Sequence, residues 1–261
     1  MKFKLGLAQC KHPEDGNALT LVERFCGEAA AAECALLCFP ESLMTPYEKE
    51  KQAFLKDAEP VDGPFSQTVC ELAAKHGLWV AYTINELNPE GNPFNTALIA
   101  DDQGNRRFIY RKAHLFDTDF TRESDRMARG SELSAPVAAP FASIGLGICY
   151  DLRFPEVARK AALAGAELML YPAAWVSGSR KIEQWQTLLC ARAIENEMFV
   201  AGLSRADEGY IGSSCIVDPR GEIIAQASEG EELLTAEIDT ELIEEVRASM
   251  PVFTHRRPEL Y

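Results

Sequence analysis

One of the eight cysteines stands apart as a candidate nucleophile. Cys149 closes the apolar run 144–148 and is followed at once by the segment 150–156, where the chain turns towards a predicted helix. A thiol at such a strand end can face a cleft, and the backbone N–H groups of the turn after it can stabilise an oxyanion. The other seven lie in apolar runs or on amphipathic helices and are interpreted as small buried hydrophobes. They are Cys10, Cys26, Cys34, Cys38, Cys70, Cys190 and Cys215.

A nucleophilic thiol needs a base, and two kinds of side chain could serve. His114 is the only histidine near other polar candidates. Glu41 follows the predicted buried strand 35–39, a strand-end position comparable to that of Cys149, and a cleft that raised its pKa would make it a general base. Lys112 adds a cation that would lower the thiol pKa from about 8.5 and stabilise an oxyanion. Taken singly, each of these residues is equally well an ordinary structural or surface group.

Alternating helices and strands would have to position these side chains. Apolar periodicity and terminal residues predict helices at 17–32, 66–76, 155–164 and 181–196. Apolar runs bounded by turn residues predict strands at 1–10, 35–39, 78–84, 96–100, 107–111, 144–149, 167–171 and 198–204, and two more around the turn 218–221. This alternation predicts an α/β or α+β fold, with mixed sheets covered by helices.

Composition limits the functions that remain. Of the 261 residues 47% are apolar, and no linker marks a boundary, so one domain over 1–261 is predicted. A net charge of −14 with no basic block disfavours binding to nucleic acid or to an anionic membrane. No apolar stretch reaches the roughly 20 residues of a membrane helix, and neither a signal peptide nor a C-x-x-C pair is found. A soluble, cytoplasmic protein is therefore expected.

Three segments, in this order along the chain, resemble the nitrilase superfamily of carbon–nitrogen hydrolases. They are Phe39-Pro-Glu41, Tyr110-Arg-Lys112 continuing to His114-Leu-Phe116, and Gly145-Leu-Gly-Ile-Cys149-Tyr-Asp-Leu-Arg-Phe-Pro-Glu156. The similarity continues through Tyr171-Pro-Ala-Ala-Trp175 and the segments 191–196, 212–214 and 218–221. It therefore covers nearly the whole chain.

The resemblance implies an α/β (α+β) fold of the four-layer αββα sandwich type, with a Glu-Lys-Cys triad. In that triad Cys149 would be the nucleophile, Glu41 the general base and later acid, and Lys112 the oxyanion stabiliser. Glu123 would have a positioning role. The thiolate would attack an amide, release ammonia and leave a thioester that water hydrolyses, with no metal or organic cofactor. The resemblance also implies a homodimer or higher homo-oligomer, with the tail 251–261 at the interface.

Within the superfamily, the chain is similar to the branch of omega-amidases and deaminated glutathione amidases. The similarity lies in the segments 114–117, 151–153 and 250–261, and it implies a small amide that carries a carboxylate, such as 2-oxoglutaramate. Arg153 is the candidate cation for that carboxylate, with Arg122 and Arg180 as loop alternatives, although Arg153 could equally form a structural ion pair. Four aromatic residues are candidates to line the pocket: Tyr47, Phe116, Tyr150 and Trp175.

Other functions stay open at this point. An aliphatic amidase, an N-carbamoyl amino acid hydrolase and a nitrilase of the same superfamily would use the same nucleophile. The loop 120–122, which would help to shape the pocket, is short, so the substrate is not fixed. A catalytically silent binding module is a further alternative, which the presence of all four polar residues of the expected site disfavours.

Overall fold

In the computed structural model, which describes residues 1–14, 16–46 and 51–260, two six-stranded sheets carry helices on their outer faces. The strands are β1 (Lys2–Gln9), β2 (Leu36–Cys38), β3 (Trp79–Glu86), β4 (Phe94–Ala100), β5 (Arg106–Arg111), β6 (Val137–Ala138), β7 (Ser143–Leu146), β8 (Leu168–Ala173), β9 (Phe199–Ser204), β10 (Cys215–Val217), β11 (Ile223–Gln226) and β12 (Glu232–Asp239). The helices are α1 (Ala18–Ala31), α2 (Lys51–Asp57), α3 (Pro64–His76), α4 (Pro155–Leu163), α5 (Lys181–Asn196), α6 (Glu241–Ser249) and α7 (Val252–His255). Short 3₁₀ helices lie at Glu123–Asp125, Cys149–Arg153 and Pro258–Leu260.

Both sheets have the same internal plan. The strand order is β12-β1-β2-β3-β4-β5 in the first sheet and β11-β10-β9-β8-β7-β6 in the second. In each sheet three neighbouring strands run parallel, and antiparallel strands flank them on both sides. Since β5 is antiparallel to β4, and β4 to β3, β5 runs in the same direction as β2. The segments that follow β2 and β5 therefore leave the first sheet at the same end of its strands.

Apolar side chains divide between two cores according to the face of the strand that carries them. Phe3, Leu5 and Leu7 of β1 join the core between the sheets, whereas Ala8 belongs to the core under α1 and α3. On the second sheet, α5 lies close against β9 because a Cβ at Gly202 would fall 2.5 Å from side-chain atoms of that helix. The layers are thus helices, sheet, sheet and helices, which confirms the predicted αββα sandwich.

Most predicted elements agree closely with the structure, and α5 has the predicted bounds. The predicted strand 144–149 is wrong at its end, because β7 stops at Leu146 and Cys149 begins a 3₁₀ helix. The N–H of Ile148 donates to the Asp151 carboxylate at 2.9 Å and not to a neighbouring strand, so the ladder cannot continue. Helices α2, α6 and α7 and strands β6 and β12 were not predicted from the sequence.

The C-terminal segment contacts the rest of its own chain through α7. The ring of Phe253 in α7 lies between two guanidinium groups, 5.4 Å from that of Arg159 and 5.2 Å from that of Arg247. The N–H of Val252 donates to Glu197 Oε1 at 3.2 Å. The location of this segment at a subunit interface stays a prediction. Among the described helices, none combines the length and the apolar character that crossing a membrane requires.

Candidate active site

Four polar side chains from separate parts of the chain meet where the two sheets face each other. Glu41 follows β2, Lys112 follows β5, Glu123 lies in a 3₁₀ helix of the next loop, and Cys149 follows β7. All four are buried: Cys149 is 9% exposed and the other three are 1% exposed. Burial of three ionisable groups beside a thiol is costly unless they satisfy one another, so this cluster is a candidate catalytic centre.

Lys112 lies between the two carboxylates. Its Nζ donates to Glu41 Oε1 at 2.7 Å and to both oxygens of Glu123, at 3.0 and 2.9 Å. Both the N–H and the carbonyl group of the Lys112 backbone are hydrogen-bonded. The N–H donates to Asn95 O at 2.9 Å, and the carbonyl accepts from Gly130 N at 2.8 Å. Backbone bonds of this kind limit the positions that the ammonium group can adopt.

Glu41 is held from both sheets. Its Oε1 also accepts from Asn95 Nδ2 of β4 at 2.8 Å, and its Oε2 accepts from the backbone N–H of Ala174, just after β8, at 2.8 Å. The Cys149 thiol lies close enough to this carboxylate for each group to shift the pKa of the other. The base is therefore oriented towards the sulfur atom by donors from the first and the second sheet.

The two carboxylates that share Lys112 have pKa values shifted in opposite directions. Burial alone would raise the pKa of Glu41, but Lys112, the Ala174 N–H and the Cys149 thiol together lower it below its usual value. Burial raises the pKa of Glu123, and the neighbouring Glu41 charge adds to this rise. The arrangement therefore favours an ionised Glu41, with Glu123 as the carboxyl that takes up a proton first as the pH falls.

The proton of the nucleophile rests on sulfur in the free site. Burial and the Glu41 charge raise the pKa of the Cys149 thiol well above its usual value, against the opposing effect of Lys112. Burial would lower the pKa of Lys112, but Glu123 and Glu41 raise it well above its usual value. The condition of a raised pKa for Glu41 is not met, because Lys112 lowers it, and the lowered thiol pKa expected from Lys112 is outweighed by burial and the Glu41 charge.

Cys149 stands on a sharp turn with φ of 47°, in the left-handed region that non-glycine residues rarely adopt. Such a conformation costs on the order of 1–3 kcal/mol and persists only where its surroundings enforce it. Two residues earlier, a Cβ on Gly147 would fall 2.9 Å from the Tyr171 ring, so glycine permits the close approach of this turn to β8. The turn resembles a nucleophile elbow, which exposes its side chain between a strand and a helix.

The buried side chain of Asp151 holds this turn in place through hydrogen bonds. It is fully buried, and its carboxylate accepts from Ile148 N at 2.9 Å, Tyr110 Oη at 2.8 Å and His114 N at 3.1 Å. The Nδ1 atom of His114 lies 2.7 Å from the same carboxylate. Asp151 therefore joins the turn that carries Cys149 to the end of β5 and the loop after it. Those segments carry the lysine of the cluster.

The side chain of His114 contacts Asp151 and Phe154 and not the Cys149 thiol. Besides its contact with Asp151, its ring stacks on Phe154 with centroids 3.7 Å apart. Of the two candidate bases, Glu41 is the one that contacts the Cys149 sulfur. The geometry therefore favours Glu41 over His114 as the candidate base.

A small cleft of about 260 Å³ opens above Cys149. Its lining includes four of the predicted pocket residues: Phe116, Tyr150, Arg153 and Trp175. It also includes Lys181, the first residue of α5, which the sequence analysis did not single out. Tyr47, the fifth predicted pocket residue, lies outside the described residues.

Arg153 has a neutral partner and not the ion pair that was considered as an alternative. Its Nη2 donates to Gln184 Oε1 at 2.9 Å, and its guanidinium lies 4.9 Å from the centre of the Trp175 ring. Among the described residues, the salt bridges do not include one to Arg153. Its charge at the cleft is therefore available to an acidic ligand.

The arrangement has the groups that acyl transfer requires. Cys149 supplies a nucleophile, Glu41 an acceptor for its proton, and Lys112 a fixed positive charge beside both. The first N–H groups of the 3₁₀ helix Cys149–Arg153 have no partner within that helix, so they are available to an oxyanion.

Comparison with known proteins agrees with this chemistry. The family model described as "Carbon-nitrogen hydrolase" matches residues 4–248. A deaminated glutathione amidase of Escherichia coli O157:H7 is 35% identical over 230 residues, which cover 88% of this chain and 87% of that protein. The omega-amidase NIT3 of Saccharomyces cerevisiae is 35% identical over 261 residues, which cover 94% of this chain and 88% of that protein.

A solved structure extends the similarity to the fold. The crystal structure of Saccharomyces cerevisiae Nit3, described as a member of branch 10 of the nitrilase superfamily, superposes with a TM-score of 0.87 at 32% identity. The match covers 98% of this chain and 97% of that one. The similarity thus spans both sheets and all the segments that carry the cluster.

The substitution Asp151→Asn tests the role of the turn. The change replaces one carboxylate oxygen, which accepts hydrogen bonds, with an NH₂ group that can only donate. This group would face the N–H and O–H donors around it, and we expect a loss of about 1–3 kcal/mol in the free energy of unfolding. Because the nucleophile would shift relative to Glu41, we also expect kcat to fall about 10- to 100-fold with little change in KM. Tyr110→Phe, which removes one donor and leaves the carboxylate, is the matched control and should have a smaller effect on both. An unchanged kcat in a folded Asp151→Asn protein would contradict the role.

Proposed function

Since the chain belongs to the carbon–nitrogen hydrolase family, we propose that it is an amidase that hydrolyses a small amide through a thioester on Cys149. The observation that carries the proposal is the contact of the Cys149 thiol with an ionised Glu41 that also binds Lys112. In this arrangement the nucleophile, its base and a cation for the developing charge stand together at the floor of a cleft.

The first half of the reaction transfers the acyl group to sulfur. As the Cys149 sulfur bonds to the amide carbon, its proton passes to Glu41 and the carbonyl oxygen becomes an oxyanion beside the Lys112 ammonium. Glu41 then gives this proton to the nitrogen, the C–N bond breaks, and ammonia leaves. The product on the enzyme is a thioester, and Glu41 is again a carboxylate.

The second half regenerates the thiol. Glu41 takes a proton from a water molecule as its oxygen attacks the thioester carbon, and Lys112 again lies beside the oxyanion. The C–S bond breaks, sulfur receives the proton from Glu41, and a carboxylic acid is released. We assign Glu123 a positioning role, because its two bonds to Lys112 and its bond from Phe116 N, at 2.7 Å, hold the ammonium group in place.

The cleft supports a small, acidic substrate. The cleft is lined by eight of the described residues, so it suits a small ligand. This favours the omega-amide of a small 2-oxo acid such as 2-oxoglutaramate over deaminated glutathione, which is about twice as large. Arg153 supplies a cation for the carboxylate, and Phe116, Tyr150 and Trp175 supply apolar walls. We keep Tyr47 as a proposed further contact.

A panel of amides tests the proposal through ammonia release by the purified protein. We expect 2-oxoglutaramate to be hydrolysed with a higher kcat/KM than deaminated glutathione, butyramide, an N-carbamoyl amino acid or a nitrile. Cys149→Ala should reduce the rate by about 1,000-fold or more. Cys190→Ala, which removes a thiol from α5 outside the cluster, is the matched control and should stay active.

Three results would contradict parts of this account. A preference for butyramide would contradict the proposal of an acidic substrate but would still agree with an amidase activity. Preference for the N-carbamoyl compound or the nitrile would change the reaction within the family. Absence of turnover across the panel, in a protein whose Cys149 does not react with iodoacetamide, would favour the silent binding module.

We also propose that the protein is a homodimer or a higher homo-oligomer in the cytoplasm. Large apolar side chains are exposed on α4, α5 and β11, namely Leu163, Ile194 and Ile224, and all eight cysteines are free thiols, as a reducing compartment would maintain. Light scattering should give a mass of at least twice the 28.8 kDa of one chain. A mass near 28.8 kDa would show a monomer.

A further inference from the structure

The cleft above Cys149 is lined by two cations. Arg153 follows the turn that carries the nucleophile, and Lys181 begins α5, so the two charges reach the cleft from different segments of the chain. The ammonium group of Lys181 lies 5.7 Å from the centre of the Phe116 ring, on the wall of the same cleft. Cys149 lines the same cleft, so this ammonium group and the candidate nucleophile face one common space.

Neither cation is neutralised by the protein around it. Of the residues that the structure describes, none forms a salt bridge with Lys181, and the polar partner of Arg153 is the neutral Gln184. Partial burial and the like charge of Arg153 lower the pKa of Lys181. The two charges therefore repel each other across the cleft, and a ligand with a negative charge would relieve this repulsion.

The location of Lys181 is unfavourable for the helix that carries it. A cation in the first turn of a helix opposes the macrodipole, whose positive end lies there. The neighbouring Arg180 has the same charge, but it pairs with Glu183 at 2.8 Å, its side chain is 76% exposed, and it does not line this cleft. Helix stability thus does not account for an unpaired lysine at this position, whereas binding of an anion would.

We propose that Lys181, together with Arg153, binds the carboxylate of the substrate and thereby selects acidic amides over neutral ones. In this arrangement the amide carbon lies at Cys149 and the carboxylate lies at the cationic wall, so the substrate is an amide whose acid group is at its other end. This inference rests on the proposed amidase function and adds to it a residue that determines substrate specificity.

The test compares a charged and a neutral substrate of the same chain length: glutaramate, the monoamide of glutaric acid, and its methyl ester, which removes the charge and adds one methyl group. We measure kcat/KM for ammonia release from each and take their ratio. Lys181→Met keeps most of the aliphatic stem and removes the charge, and it should lower the ratio of acid to ester by about 10- to 100-fold, mainly through KM for the acid. Lys181→Arg should retain a large part of the ratio.

Arg180→Met provides the matched control, because it removes the same charge from the adjacent position at the end of the same helix. We expect it to leave the ratio of acid to ester close to that of the wild type. If Lys181→Met left the ratio unchanged, or if Arg180→Met lowered it as much, the inference would be wrong. An equal loss for both substrates with a shifted pH–rate profile would also overturn it, since Lys181 would then act on the thiol.

A binding measurement separates this inference from the proposed function. In a Cys149→Ala background, we measure the Kd of glutarate by calorimetry with and without the Lys181→Met change. The inference predicts a Kd about 10- to 100-fold larger when the lysine is absent. If the wild type hydrolysed no amide, the proposed function would fail, and glutarate binding alone would decide the role of Lys181. An equal Kd with and without the lysine would overturn the inference whether or not the protein is an amidase.

Discussion

One buried ammonium group between two buried carboxylates is the interaction on which the site depends. Lys112 binds Glu41 and Glu123 at distances between 2.7 and 3.0 Å, and all three side chains are 1% exposed. Loss of any one partner from such a cluster leaves a buried charge without compensation, which typically costs about 3–5 kcal/mol. The cluster is therefore stable only as a whole. Burial of Cys149 and the charges of the cluster together determine where the proton of this thiol rests.

The sandwich is arranged so that each member of this cluster is fixed from a different direction. Because β2 and β5 run in the same direction, Glu41 and Lys112 lie at the same end of the strands of the first sheet. The second sheet contributes the Ala174 N–H to Glu41 and the turn of Cys149. Asp151 then ties that turn to the loop after β5, so the relative position of nucleophile and lysine depends on contacts between the two sheets.

The sequence predicted those features that depend on local pattern, and it missed those that depend on distant contacts. The helix at α5 and the strand-end positions of Glu41, Lys112 and Cys149 follow from apolar periodicity and turn residues. Strand β12 was missed because its extended conformation depends on hydrogen bonds to β1, at the other end of the chain. Lys181 was not singled out from the sequence, because its place in the cleft depends on how α5 packs. The pKa directions of Glu41 and Cys149 likewise needed the actual neighbours of each group.

The central claim is that the free enzyme holds a neutral thiol beside an ionised Glu41. The most direct test is the ultraviolet absorbance of the Cys149 thiolate as a function of pH, taken as the difference between the wild type and Cys149→Ala. We predict no thiolate from Cys149 until the pH is well above the usual thiol pKa of about 8.5, because burial and Glu41 raise this pKa. Glu41→Gln should move the onset to lower pH, since it removes the negative charge that opposes ionisation. A thiolate already formed at neutral pH in the wild type would contradict the account.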